Sequence, residues 1–316
     1  MGRARARPAA LALAGPTAAG KTELALRVAE RLDGEIVSMD SRQVYRRLDI
    51  GTAKPTGEDR QRVPHHGLDL VDPGERYSAG RFARDARRWI ADIRARGHVP
   101  ILEGGTGFFL RALTEPLFEE PPMPAAPRAR LRAYLADRPA AELRRWLDVL
   151  DPQSAGAMVR GGGRQRMARA LEVVILTGRP LPWWQQQCPP AADALPVMVF
   201  VLSLPRDQLY ARINARVLAM LETGLLDEVR ELLNGGHHPG EPGMSAVGYA
   251  EIVAHLRGER SLEDAVDAIQ RATRRYARRQ LTWFRNQLPD SAVWLDGMRP
   301  ADDLVEEVLE RWRATG

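Results

Sequence analysis

The chain has 316 residues, 46 basic against 41 acidic side chains, a formal net charge of +5 and a single cysteine, Cys188. That length can bury a sizeable core in one large or two unequal domains, while one cysteine excludes an internal disulfide framework and a cysteine-based zinc module. No apolar run approaches the roughly 20 residues of a membrane span, and the small basic excess permits a polyanionic partner without requiring one.

The short basic start, with Arg3, Arg5 and Arg7, leads straight into an apolar run at residues 9–14. We expect a solvated tail, a first strand and a cytoplasmic protein without a membrane anchor. Gly15, Pro16, Thr17, Ala18, Ala19, Gly20, Lys21 and Thr22 follow, in the pattern G-x-x-x-x-G-K-[ST]. A loop of this kind between strand and helix exposes backbone N–H groups to phosphate, Lys21 adds a point charge, and Thr22 offers a hydroxyl to Mg²⁺. Of the 46 basic residues only Lys21 and Lys54 are lysine, so a chain that otherwise uses arginine keeps a compact ammonium here. Residues 23–32 have helical character, and Asp33-Gly34 can end that helix.

Strands are then expected at residues 35–39, 99–103, 196–204 and 292–295, alternating with long helical patterns. This is the signature of an α/β fold, a parallel sheet flanked by helices. In such sheets ligands sit beyond the carboxyl ends of strands, where Asp40 and the loop Gly104-Gly105-Thr106-Gly107 fall. Asp40 fits three roles there: holding Mg²⁺ through water, capping the next helix, or accepting a proton. Thr106 fits either substrate binding or simple turn closure. Lys54 is a loop lysine of unassigned role, and His65 and His66 read as structural or as minor substrate contacts, since no zinc spacing accompanies them.

Prolines 116, 121, 122, 124 and 127 mark a boundary, an arginine-rich helical stretch follows, and prolines 180, 182, 189 and 190 mark a second boundary. A helical insertion into the sheet domain is the simplest account, with Trp183 and Trp184 as its anchors. Arg212 and Arg216 are four apart on one helical face, a spacing that can clamp charge on a departing phosphate or simply point into solvent. Between Arg271 and Arg285 there are six arginines and no acid. Arg271, Arg274, Arg275, Arg278 and Arg279 form one broad face at about 100° per residue, opposite Ala272, Tyr276, Ala277, Leu281 and Phe284. With Arg164, Arg166 and Arg169 this stripe reads as a nucleic-acid footprint, the alternative being a solvated face.

Taken in order, the phosphate loop, Ser38-Met39-Asp40-Ser41 with Gln43-Val44-Tyr45, Asp49-Ile50-Gly51-Thr52-Ala53-Lys54-Pro55, Pro64-His65-His66, Tyr77-Ser78-Ala79, Gly104-Gly105-Thr106, the run from Gln165-Arg166-Met167-Ala168-Arg169 to Glu172, Val247-Gly248-Tyr249 and Arg279-Gln280-Leu281-Thr282-Trp283 resemble the motifs of the tRNA dimethylallyltransferase family. The resemblance spans nearly the whole chain. It implies a P-loop NTPase-like core at 1–116 and 193–316, with C-terminal tRNA-binding helices, and a helical insertion domain at 117–192. It further implies transfer of a dimethylallyl group from dimethylallyl diphosphate to the exocyclic amine of the adenine 3′ of a tRNA anticodon, with Mg²⁺ as cofactor in a monomer. A small-molecule kinase, or transfer to a free adenine nucleotide, is the alternative.

Under the resemblance Asp40 becomes the general base, Thr106 a contact to the target nucleotide and Arg216 a stabiliser of leaving diphosphate. The implied contacts to the anticodon stem-loop are Asp40, Ser41, Arg42, Gln43, Thr106, Arg128, Gln165, Arg166, Met167, Ala168, Arg169, Gly248, Tyr249, Arg278, Arg279, Gln280, Leu281, Thr282, Trp283, Phe284 and Arg285. The chain departs from the family pattern at Gly161-Gly162-Gly163, at Arg81, at Ser245-Ala246 and at Glu103, which stands at a usually apolar strand position.

Overall fold

The computed structural model describes residues 8–115, 118, 120–158, 163–188 and 192–315. The basic tail with Arg3, Arg5 and Arg7, the Gly161-Gly162 turn, and the boundary prolines 116, 189 and 190 lie outside them. Two compact units result, Met1–Glu115 with Ala194–Gly316, and Pro116–Asp193.

The first unit starts with β1 (Ala10–Ala14), α1 (Lys21–Leu32), β2 (Gly34–Ser38), α2 (Gly57–Arg62), β3 (His65–His66), α3 (Ala79–Ala95), β4 (Val99–Gly104) and α4 (Gly107–Thr114). All five residues of β1 are buried, as expected of a parallel strand with helices on both faces. α1 begins after Gly20 at φ 97° and stops at Asp33 at φ 50°, two left-handed residues that bracket it. The two-residue β3 corrects the loop reading of His65 and His66. Their backbones pair with Ile36 and Val37 at the sheet edge, and the His66 ring bonds the buried Glu35 carboxylate at 2.6 Å, so the pair is structural.

The second unit carries α5 (Ala125–Ala136), α6 (Ala140–Leu150), α7 (Pro152–Ala157), α8 (Arg164–Thr177) and α9 (Leu181–Gln187). Its core is Leu135, Leu143, Leu147, Ala155, Met167, Ala170 and Leu171. Buried Asp151 caps α7 by accepting from Ser154 N at 3.0 Å, and also accepts from Leu181 N at 3.2 Å. Trp184 Nε1 donates to Thr177 Oγ1 at 2.9 Å within this unit. Glu172 is buried among Arg128, Arg132 and Arg169. Burial alone would raise its carboxyl, but the hydrogen bonds and charge of those arginines hold it below the ordinary range. Three of the expected tRNA-contact residues have partners within the chain here. Met167 is a core side chain, and Arg128 and Arg169 are engaged by Glu172 and Glu120, because a buried carboxylate requires its cations. Gln165 and Arg166 are exposed, and Ala168 is partly buried against the core.

The chain re-enters the first unit with β5 (Val197–Ser203), α10 (Arg206–Glu222), α11 (Leu225–Asn234), a 3₁₀ turn (Gly243–Ser245), α12 (Tyr249–Leu256), α13 (Leu262–Gln287), β6 (Val293–Asp296) and α14 (Ala301–Arg313). The sheet is parallel throughout, in the order β3-β2-β4-β1-β5-β6. One core cluster joins α1, α14 and the sheet through Leu24, Val28, Phe200, Leu295, Val308 and Trp312. A second joins Val44, Tyr45 and Leu48 to Val229, Tyr249, Ile252 and Ile269. This is the P-loop NTPase-like α/β architecture. Among the described residues no helix is long and apolar enough to cross a membrane.

Candidate active site

The strand order determines what meets what. β4 lies between β2 and β1, with Glu103 in register with Ser38 on one side and Leu13 on the other. The phosphate loop after β1, Asp40 after β2 and the Gly104-Gly105 loop after β4 therefore share one end of the sheet. They line a cavity of about 250 Å³ with Arg42, Gln43, Gly51, Thr52, Ile213, Arg216, Val217, Met220, Val247, Gly248, Tyr276 and Arg279 among its walls.

The loop geometry requires glycine at its start. A Cβ on Gly15, at φ 150°, would lie 2.5 Å from the Leu202 carbonyl oxygen. Lys21 is buried and donates to Pro16 O at 2.9 Å. Burial pushes its ammonium below the ordinary lysine range, against the opposing pull of Glu103. From α10, Arg212 reaches Ala19 O and Arg216 reaches Thr17 Oγ1, each at 3.4 Å. Both side chains thus reach the loop. Largely buried, Arg216 is also shifted down by desolvation.

Asp40 is half-buried and caps a turn, not a helix. Its Oδ1 accepts from Arg42 N at 2.7 Å, and turn residues follow it. Thr106 Oγ1 accepts from Ser41 N at 3.0 Å and is 3.3 Å from Ser41 Oγ. It holds the Asp40-Ser41 turn in place beside the cavity, a positioning role in addition to the expected contact with substrate. Arg42 donates to Pro242 O at 2.9 Å and to Ser245 Oγ at 3.0 Å. Tyr276, near Asp40, has its phenol pushed up by burial and by the Asp40 charge.

Two acidic side chains, Glu103 lining the cavity and Glu228 behind it, have surroundings that the sequence does not reveal. Glu228 accepts from Asp49 N, Ile50 N and Gly51 N at 2.8, 2.6 and 3.1 Å, and from the Tyr249 hydroxyl at 2.7 Å. No local signal marks it, since its backbone partners lie far earlier in the chain. Glu103 is 5% exposed, with its carboxyl raised by desolvation; a lone acid ending the run Pro100-Ile101-Leu102 was the available sign. Lys54 now has a structural role. It is buried against Tyr45 O and the carboxylates of Asp49 and Asp69, which pins the loop that Gln43 also holds through Ala53 O at 3.1 Å.

Several further expected tRNA-contact positions carry buried side chains. Tyr249 is fully buried with its hydroxyl on Glu228, and Phe284 is fully buried. Buried Gln280 accepts from Thr17 N at 3.0 Å and donates to Gly105 O at 2.9 Å. Trp283 packs on Gly107, where a Cβ would meet its ring at 2.1 Å, and Leu281 packs against the sheet core. The arginine stripe divides in the same way. Arg274 bonds Asn214 Oδ1 at 2.6 Å, and Arg271 pairs with Asp267. Arg275, Arg278 and Arg285 are exposed and without an ion-pair partner among the described residues, and Thr282 is exposed beside them. Replacing Arg275, Arg278 and Arg285 with glutamine is expected to weaken tRNA binding and to flatten its log–log salt dependence by up to roughly 0.7–0.9 for each phosphate these arginines neutralise. Filter-binding titrations across salt concentrations check this, and an unchanged slope would make the stripe a solvated face.

Residues 43–287 match the family model described as IPP transferase. A relative from Citrifermentans bemidjiense, named tRNA dimethylallyltransferase 1, is 44% identical over 300 residues, covering 95% of this chain and 96% of the relative. A tRNA dimethylallyltransferase from Halorhodospira halophila is 47% identical over 299 residues, 94% of each chain. The crystal structure of the full-length tRNA isopentenylpyrophosphate transferase from Bacillus halodurans superposes with a TM-score of 0.69 at 36% identity, over 96% of this chain and 95% of that one. A eukaryotic dimethylallyltransferase acting on tRNA gives a TM-score of 0.77 at 26% identity, over 91% and 73%.

Proposed function

The chain belongs to the IPP transferase family, and from that premise we propose that it moves the dimethylallyl group of dimethylallyl diphosphate onto the exocyclic N6 amine of the adenine 3′-adjacent to the anticodon of a tRNA. It is a transferase that modifies tRNA. The observation that carries the finer reading is the convergence of Lys21, Arg216 and the phosphate loop with the carboxylate of Asp40 on one cavity.

The adenine amine is a weak nucleophile because its lone pair is delocalised into the ring. In the reaction the N6 lone pair forms the new N–C bond, the C1–O bond to diphosphate breaks, and the amine proton passes to the Asp40 carboxylate. Lys21, Arg216 and the loop N–H groups meet the charge that develops on the departing diphosphate. The apolar wall from Ile213, Val217, Met220, Val247 and Ile269 suits the five-carbon chain and limits water. Thr22, a hard oxygen donor opening on the same cavity, fits Mg²⁺, which when bound neutralises part of the diphosphate charge. An adenine in a stacked anticodon loop has to leave the stack to reach an enclosed carbon.

Incubation with radiolabelled dimethylallyl diphosphate, Mg²⁺ and either tRNA or AMP, without ATP, tests the reading. Label is expected in tRNA at an adenine and absent from AMP. Label in AMP, or an ATP-dependent phosphorylated product, would overturn it.

A further inference from the structure

We propose that Glu103 is a second protein anchor, with Thr22, for the divalent cation that accompanies the diphosphate; the inference rests on the phosphate loop being the donor site. Glu103 ends β4 between the phosphate loop and Asp40, is 5% exposed and lines the cavity. A buried carboxylate ordinarily has close partners. This one has Thr22 Oγ1 at 3.5 Å, the outer limit of a hydrogen bond, and no ion pair among the described residues. Lys21 and Arg216 act on it through space alone.

The separation is telling. Adjacent oxygens around a Mg²⁺ with ligands at about 2.1 Å lie roughly 3 Å apart, so a small closing movement would bring the Thr22 and Glu103 oxygens to one cation. Electrostatics point the same way. The charges that act on Glu103 are Lys21, Arg216 and Asp40, so within this group two cations meet two carboxylates, while Arg42 and Arg279 add positive charge elsewhere on the cavity wall. A diphosphate then brings negative charge against two carboxylates. A cation between Glu103, Thr22 and the phosphate oxygens converts the buried carboxylate from a repulsive neighbour into a ligand. Among the described residues no cluster of three or more His, Cys, Asp or Glu could hold a metal. Two protein oxygens completed by phosphate and water is the arrangement Mg²⁺ prefers.

Calorimetric titration of inorganic pyrophosphate into the full chain, with and without Mg²⁺, tests this in the parent, Glu103→Gln and Glu103→Val. Mg²⁺ is expected to strengthen pyrophosphate binding in the parent. In both variants that enhancement should shrink by at least the ~10-fold that even outer-shell partners of a metal contribute. Mn²⁺ titrations followed by electron paramagnetic resonance, with pyrophosphate present, should show the same loss. Should neither variant fold, Glu103→Asp, which withdraws the carboxylate by one methylene, carries the same comparison. An equal Mg²⁺ enhancement in parent and variant overturns the role of Glu103. A parent that binds no pyrophosphate overturns the donor-site reading itself.

Discussion

Replacing Asp40 with alanine is expected to lower single-turnover transfer by roughly 10²–10⁴-fold, the range a positioned general base contributes, while donor and tRNA still bind. The carboxylate is half-buried at the carboxyl end of β2, with one oxygen spent on Arg42 N. The other oxygen remains available to an incoming amine. Asp40→Asn separates the two functions of the side chain. It keeps an oxygen that can accept from Arg42 N, so the turn stays intact, but it cannot take a proton at neutral pH. Loss of rate in both variants identifies a base. Loss in alanine with near-normal rate in asparagine would reduce Asp40 to a turn residue.

Lys21→Ala is expected to cost about 10²–10³-fold or more in turnover, the effect of removing one donor from a site of developing negative charge, with weaker donor binding in addition. Lys21→Arg should restore little. A guanidinium is planar and forked, and the ammonium sits buried with Pro16 O at 2.9 Å in a loop closed over it. Single-turnover rates at saturating tRNA, measured across donor concentrations, separate the two losses. Recovery to near-parent rates in the arginine variant would show that charge alone matters at this position.

Local chemistry was legible in the sequence. The phosphate loop is set by glycines and a lysine within eight residues, and its strand and helix flanks follow from periodicity, so the expected strands agree with β1, β2, β4, β5 and β6 to within a residue or so at each end. The four-residue spacing of Arg212 and Arg216 likewise put both on one face. Strand order was not legible. Nothing near Glu103 says that its strand is inserted between β1 and β2, and nothing near Glu228 says that it caps a loop far back in the chain. Motif resemblance also marks positions without saying which way a side chain points. In α13 the resemblance named consecutive residues, whereas Ala277, Gln280 and Phe284 at three- and four-residue spacing form the buried seam. The helical period at those positions carried the information that the motif blurred.

The chain's only two lysines are both buried, one closing the phosphate loop and the other pinning the loop at Asp49 and Asp69. Every strongly basic side chain on its exterior is therefore a guanidinium, which does not lose its proton at any pH a protein survives. Acylating reagents and acetyl-transferring enzymes find no lysine amine on the described surface. The positive charge of these exterior side chains is thus beyond the reach of lysine modification and indifferent to alkalinity, and it is weakened by added salt.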